Sequence, residues 1–152
     1  MLCEPSGLWA FVASAFKYLC LSKMKIEHVS IWAKNIEKLK HFYSHYFNAT
    51  AGEKYFNPKK NFHSYFLSFE TGCRLELMQM PGIQDKGNSQ NDQYFGLTHL
   101  AISVGSRELV DQLTNQLRND GYTIAGEPRT TGDGYYESVV LDPEGNRIEI
   151  TV

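Results

Sequence analysis

The stretches GCRLEL, residues 72–77, and GNRIEI, residues 145–150, each place a glutamate between two aliphatic residues. These glutamates are Glu76 and Glu149. Because side chains alternate faces along a β-strand, each glutamate points away from the face on which its aliphatic neighbours lie. The pattern therefore predicts two strands that bury one face and carry a carboxylate on the other.

A histidine opens a second pair of matching stretches, HVSI at residues 28–31 and HLAI at residues 99–102. The two histidines, His28 and His99, are 71 residues apart, and the two glutamates are 73 residues apart. Chance matches rarely keep both order and spacing. The sequence therefore predicts two modules of nearly equal length that share one architecture.

Each module contains a candidate helix between its histidine and its glutamate. Apolar residues recur at helical spacing in residues 36–46 and in residues 109–117, and the residues expected to cap these helices are Asn35 and Ser106. Apolar and aromatic stretches with strand propensity then lead to each glutamate, the second through a turn at residues 142–145. Each module is predicted to be βαβββ, which makes the fold class α+β.

A polar segment divides the modules. We expect them at about residues 24–80 and 97–152, with residues 81–96 as a linker because that segment is rich in Gly, Asn, Asp and Gln. Residues 1–23 contain an apolar run too short to span a membrane, and no Lys or Arg precedes it as in a secretory signal. We expect Met24 to be the natural start of a single domain, residues 24–152, and residues 1–23 to be an upstream extension outside the native protein.

Composition restricts the classes of partner. The 152 residues carry a net charge of −2, which gives no field to hold nucleic acid or an anionic membrane. The three cysteines are odd in number and lack CxxC spacing, which argues against a disulfide framework and against a thiolate zinc site. These features favour a cytoplasmic protein that binds a small molecule.

The polar faces of the four matching strands carry two imidazoles and two carboxylates. If the two sheets curl toward each other with these faces inward, His28, Glu76, His99 and Glu149 converge. Buried carboxylates without partners are costly, so convergence indicates a compensating divalent cation. Nitrogen and oxygen donors suit Ni, Zn, Co, Mn or Fe, and ligand type alone does not choose among them. Taken singly, each residue is better explained as structural, and only the repetition favours a metal site.

Strand alternation also predicts a pocket around these four residues. It is apolar and aromatic, with one or two cations. An ion pair at the rim is the favoured alternative role for the two arginines. The residues that we expect to bind substrate are Trp32, Arg74, Met78, Met80 and Arg147.

At these residues the chain resembles the vicinal oxygen chelate superfamily, which includes glyoxalase I, methylmalonyl-CoA epimerase, extradiol dioxygenases and the fosfomycin- and bleomycin-resistance proteins. The resemblance covers residues 24–152, and residues 142–150 (DPEGNRIEI) look like the family's closing hairpin. It implies paired βαβββ modules that form a cupped mixed sheet around a metal site, with helices outside. The metal ligands that it implies are His28, Glu76, His99 and Glu149.

The resemblance also implies a reaction. Four protein ligands favour the isomerase or lyase chemistry of glyoxalase I, which acts on a small carbonyl or thioester substrate through an enediolate. In that family a ligand glutamate shuttles the proton, here Glu149 with Glu76 as its counterpart. Glyoxalase I holds glutathione with an Arg and an Asn, where this chain has Trp32 and Met80. A smaller or more hydrophobic substrate is therefore expected.

Two other functions stay open at this point. One is a non-catalytic protein of the bleomycin-resistance type, which binds a drug or toxin. The other is an extradiol dioxygenase, which needs a coordination position that Glu76 is expected to occupy. The resemblance implies a homodimer, and the family builds its sites either within one chain or across two.

Overall fold

The computed structural model describes residues 24–84 and 95–152. The expected N-terminal extension and most of the expected linker lie outside the described residues. None of the described helices is long and apolar enough to cross a membrane. The strands and helices are β1 (His28–Trp32), α1 (Ile36–Phe47), β2 (Thr50–Ala51), β3 (Tyr55–Asn57), β4 (Phe62–Ser68), β5 (Arg74–Gln79), β6 (Leu100–Ser103), α2 (Arg107–Asn119), β7 (Ile124–Thr130), β8 (Tyr136–Leu141) and β9 (Arg147–Thr151).

The strands form two mixed sheets. In the first sheet the order is β1-β5-β4-β2, and the short strand β3 also pairs with β4. In the second sheet the order is β6-β9-β8-β7. The pairs β1–β5 and β6–β9 are parallel, and the remaining pairs are antiparallel. The predicted α+β class is confirmed, and β3 is an addition to the first module that the sequence pattern did not indicate.

Both helices begin where the sequence indicates. The Asn35 side chain accepts hydrogen bonds from the first-turn backbone N–H groups of Glu37 and Lys38, and the Ser106 side chain accepts one from Leu109. Such bonds satisfy donors that have no partner inside the helix. The two N-cap predictions are therefore confirmed.

The aliphatic neighbours of the two glutamates lie under the helices. Leu75, Leu77, Ile148 and Ile150 are all buried in one continuous core. Because neighbouring residues on a strand face opposite sides, Glu76 and Glu149 lie on the sheet faces away from the helices. We call these two surfaces the ligand faces.

Helix α1 joins the first module to the second. The Tyr43 hydroxyl donates a 3.0 Å hydrogen bond to Asp142, a buried carboxylate in the turn between β8 and β9. Burial raises the pKa of Asp142, whereas hydrogen bonds from Asn146, Glu144 and Tyr43 oppose that shift. The carboxylate is therefore held by donors from both modules.

A Tyr43→Phe substitution removes the donor that comes from the first module. Asp142 keeps its donors from Glu144 and Asn146. We therefore expect the free energy of unfolding to fall by the contribution of one hydrogen bond to a charged group, about 1.5–3 kcal/mol. Urea unfolding followed by circular dichroism measures it. Tyr46→Phe is the matched control, because its 2.7 Å bond to Asp120 is exposed. Equal losses in the two variants would contradict the role assigned to Tyr43.

Candidate metal centre

The first module brings one histidine and one glutamate together. Nε2 of His28, at the start of β1, lies 3.8 Å from Oε2 of Glu76 on β5. The Ser30 hydroxyl donates a 2.8 Å hydrogen bond to the same carboxylate oxygen. On the other side of the imidazole ring, Nδ1 of His28 lies 2.5 Å from a carboxylate oxygen of Glu27. We call His28 and Glu76 the first half-site.

The second module repeats this arrangement. Nε2 of His99, immediately before β6, lies 3.4 Å from Oε2 of Glu149 on β9. Nδ1 of His99 lies 3.1 Å from the Thr98 hydroxyl. We call His99 and Glu149 the second half-site. The glutamate side chains are 14% and 19% exposed in the two half-sites, so most of each side chain is covered by its neighbours.

The two half-sites have the chemistry of metal donors. In each, the residue before the histidine engages Nδ1 and leaves Nε2 facing the glutamate. Metal-binding histidines are commonly oriented in this way, with the second ring nitrogen bonded to an outer partner. One imidazole nitrogen and one carboxylate oxygen per half-site fit a divalent ion of the first transition series or zinc.

The two half-sites do not meet within one chain. Among residues 24–84 and 95–152, no group of three or more His, Cys, Asp or Glu side chains is placed to hold a metal ion. The expected convergence of all four residues is thus not present in the single chain. Helix α1 contacts the second module through Tyr43, which bonds to Asp142, and through Tyr46, which bonds to Asp120.

The half-sites lie at the margins of their sheets. Strand β1 lies at one edge of the first sheet and β6 at one edge of the second, and each pairs with a neighbour on one side only within the described part of the chain. An outer strand presents unpaired backbone groups that can bond to another strand. The donor sets therefore fit a divalent metal if a first and a second half-site are brought together along these edges.

A buried glutamate near the second half-site was missed from the sequence. Glu137 on β8 lies on the same face as Glu149, because Val139 pairs with Glu149 in register. Burial raises the pKa of Glu137, and the negative charge of Glu149 raises it further. The Arg129 guanidinium, 3.3 Å away, opposes this shift. The alternation of polar and apolar residues along β8 could have indicated Glu137. It assigns Glu137 to the face of Glu149 only once the register between β8 and β9 is known.

The two arginines expected in the pocket are placed differently from each other. Arg74 forms an ion pair with Glu27, and its guanidinium lies 4.1 Å from the centre of the Phe66 ring. Arg74 thus forms an ion pair of the kind weighed as its alternative role. Arg147 lies at the start of β9, two residues before Glu149, and so shares its ligand face.

The apolar residues expected in the pocket lie at the far end of the first ligand face. Trp32 pairs in register with Met78, so these side chains are neighbours across β1 and β5. Trp32 and Met80 line a cleft of about 530 Å³, to which Glu144 of the second module also contributes. A larger cleft of about 800 Å³ lies between the modules and is lined by none of the four half-site residues.

Comparison with known families identifies one match. The family model described as Glyoxalase/Bleomycin resistance protein/Dioxygenase superfamily matches residues 25–150. A comparison with curated proteins found no match. The family model covers nearly all of the described residues, so the family resemblance inferred from the sequence is confirmed.

Solved structures of similar fold come from plants, protozoa and bacteria. A variant of glyoxalase I from Zea mays has a TM-score of 0.72 and 20% identity, over 91% of this chain and 48% of that one. The trypanothione-dependent glyoxalase I of Leishmania major has a TM-score of 0.66 and 21% identity, over 85% and 86%. A glyoxalase family protein from Enterococcus faecalis has a TM-score of 0.68 and 24% identity, over 84% and 97%. This chain spans about half the length of the maize protein, and identities this low show the fold alone.

Replacing either glutamate by glutamine tests the half-sites. Glu76→Gln and Glu149→Gln each remove a charged oxygen donor, so we expect Ni²⁺ or Zn²⁺ to bind at least about tenfold more weakly. Titration calorimetry on metal-free protein measures the dissociation constants. Glu53→Gln, which changes an exposed glutamate between β2 and β3, is the control and should bind metal normally. Unchanged affinity in Glu76→Gln would remove Glu76 from the ligand set.

Proposed function

The chain belongs to the Glyoxalase/Bleomycin resistance protein/Dioxygenase superfamily, and we propose that it is a divalent-metal-dependent isomerase or lyase of the glyoxalase I type. The substrate is a small carbonyl compound or thioester. The observation that carries this proposal is the pair of matching half-sites, each with an imidazole nitrogen facing a glutamate whose side chain is largely buried. Two such pairs supply the four ligands expected of this chemistry.

The active form in this proposal is a homodimer. Because the half-sites of one chain are apart, a second copy must supply the missing half. Pairing the β1 edge of one chain with the β6 edge of the other would place His28 and Glu76 beside the partner's His99 and the partner's Glu149. Closed twofold symmetry then gives two equivalent sites per dimer. The free outer edges of β1 and β6 in the described chain support this arrangement.

A divalent ion at such a site supplies Lewis-acid chemistry, which polarises substrate oxygens and makes the neighbouring C–H group more acidic. Members of the superfamily commonly bind such an ion. Ni, Zn, Co, Mn and Fe all suit two nitrogen and two oxygen donors. The residues that would hold it are His28, Glu76, His99 and Glu149.

The chain's own carboxylates perform the proton transfer. Glu149 removes the proton from the acidified carbon, and Glu76 is the group that delivers a proton to the neighbouring carbon. The hydrogen bond from Ser30 fixes one oxygen of Glu76 and so orients the other. Proton exchange between the two carboxyl groups then restores both for the next turnover.

A non-catalytic small-molecule binding protein of the bleomycin-resistance type is the second candidate. The observation in its favour is that the described residues of a single chain form no group of three metal donors. An extradiol dioxygenase is less well supported, since it needs a coordination position that Glu76 would occupy as a fourth ligand in this proposal. Metal content after purification separates the binding protein from the two enzymes.

Proton exchange in D₂O tests the reaction class without knowledge of the substrate. Hemithioacetals, 2-hydroxy ketones and 2-substituted malonyl thioesters are incubated with metal-loaded protein, and loss of the C–H signal is followed by proton NMR. We expect exchange in one of these classes and a loss of at least about hundredfold in Glu149→Gln, because positioned acid–base catalysis contributes factors of that size. The control variant Glu53→Gln should catalyse this exchange at the wild-type rate. Exchange that persists in Glu149→Gln would contradict the role of Glu149 as the base, and failure of exchange in all three classes would favour the binding protein.

A further inference from the structure

Three aromatic side chains cluster on the first ligand face, beyond Glu76. The ring of Trp32 meets the ring of Phe62 edge to face, with the ring centres 6.1 Å apart, and Tyr55 meets Phe62 at the same distance. Strand register joins them into one surface, because Trp32 pairs with Met78, Met78 with Ser64, and Ser64 with Tyr55. We call Trp32, Phe62 and Tyr55 the aromatic shelf.

The aromatic shelf is open to solvent. Trp32 is 41% exposed and Tyr55 is 56% exposed. Both helices pack on the opposite faces of their sheets, where the aliphatic core lies. A contiguous exposed aromatic surface is uncommon on a single folded chain and usually marks a binding site. Pairing of β1 and β6 between two chains joins the sheets edge to edge, so it would leave this surface open.

The shelf lies close to the first half-site. Met78 is two residues after Glu76 on β5, and Trp32 is two residues after Ser30 on β1. Same-face neighbours on a strand are separated by about 7 Å, roughly the length of a phenyl substituent with its linking carbon. A molecule whose oxygens lie near Glu76 can therefore place its substituent over Met78 and against Trp32.

The charges around the shelf indicate what the substituent is. Its neighbours on this face are Met78 and Ser64, which are uncharged. The cation Arg74 lies in the opposite direction along β5, and Glu27 pairs with it. The charged residues Lys34 and Glu144 line the cleft at the end of the sheet that Trp32 also borders, not the stretch between Trp32 and Tyr55. Between these two rings the sheet face is uncharged, and edge and face contacts with aromatic rings favour another ring.

We propose that the substrate carries an aromatic ring next to its reacting oxygens, and that Trp32 and Tyr55 hold this ring and determine specificity. The inference rests on the proposed function and names the substrate class of the same site. The proposal is more specific than a general apolar pocket, because it states that Trp32 and Tyr55 are the residues that select an aromatic substrate.

Binding of two 2-keto acids tests this proposal. Benzoylformate and pyruvate present the same adjacent oxygens and differ in a phenyl and a methyl group. Titration calorimetry on the full-length, metal-loaded protein should give benzoylformate a dissociation constant at least about tenfold lower, which corresponds to about 1.4 kcal/mol. Trp32→Ala and Tyr55→Ala should each reduce this preference severalfold and leave pyruvate binding unchanged. Trp32→Phe should retain most of it, which guards against a folding defect in the alanine variant.

Phe56→Ala is the matched control. Phe56 is adjacent to Tyr55 on β3 and is exposed, but it lies on the other face and stacks on His63. This variant should keep the full preference for benzoylformate. Equal affinities for the two acids, no measurable binding of benzoylformate at millimolar concentration, or an equal loss in Phe56→Ala would each overturn the proposal.

Removing the metal distinguishes this inference from the proposed function. If the protein binds a metal at this site, a chelator should reduce its affinity for both keto acids by a similar factor, because both acids present the same adjacent oxygens to the metal. The ratio of the two affinities reports on the aromatic shelf in either state. Affinities that a chelator does not change would therefore count against the metal site, while a preserved ratio would still support the shelf.

Discussion

The hydrogen bond between the Tyr43 hydroxyl and the buried Asp142 carboxylate ties helix α1 of the first module to the closing turn of the second. Asp142 also accepts hydrogen bonds from the backbone N–H groups of Glu144 and Asn146, so the turn and the contact between modules depend on one group. Charged oxygens buried in this way require several donors. This contact joins the modules on the side of the sheets that helix α1 covers, away from the two ligand faces.

Because the two ligand faces are apart, each module carries only one half-site, and the side chains of that half-site are held in place. Both half-sites orient a histidine through the residue before it and aim Nε2 at a largely buried glutamate. Neither half can saturate a divalent ion alone. In our proposal the assembly of two chains creates both the metal centre and the pocket around it, so stability of the dimer and affinity for metal would be linked.

Local physical rules predicted much of this chain. Alternation around Glu76 and Glu149 predicted which strand faces are buried, and side-chain capping predicted the starts of both helices. The position of Glu137 was not predicted, because it depends on strand register. An ion pair of Arg74 was predicted, but its partner Glu27 was not, because that depends on which strand lies beside β5. The separation of the half-sites was not predicted either, since it depends on how the two modules dock, which no local pattern encodes.

Mixing two inactive variants tests the central claim most directly. His28→Ala disrupts the first half-site and His99→Ala the second, so neither homodimer has an intact site. After unfolding and refolding together, half of the dimers are mixed, and each mixed dimer regains one intact site across the interface. Metal bound at high affinity, measured by calorimetry, should then rise from near zero to about a quarter of the wild-type amount. A mixture that binds no more metal than the separate variants would contradict a site shared between two chains.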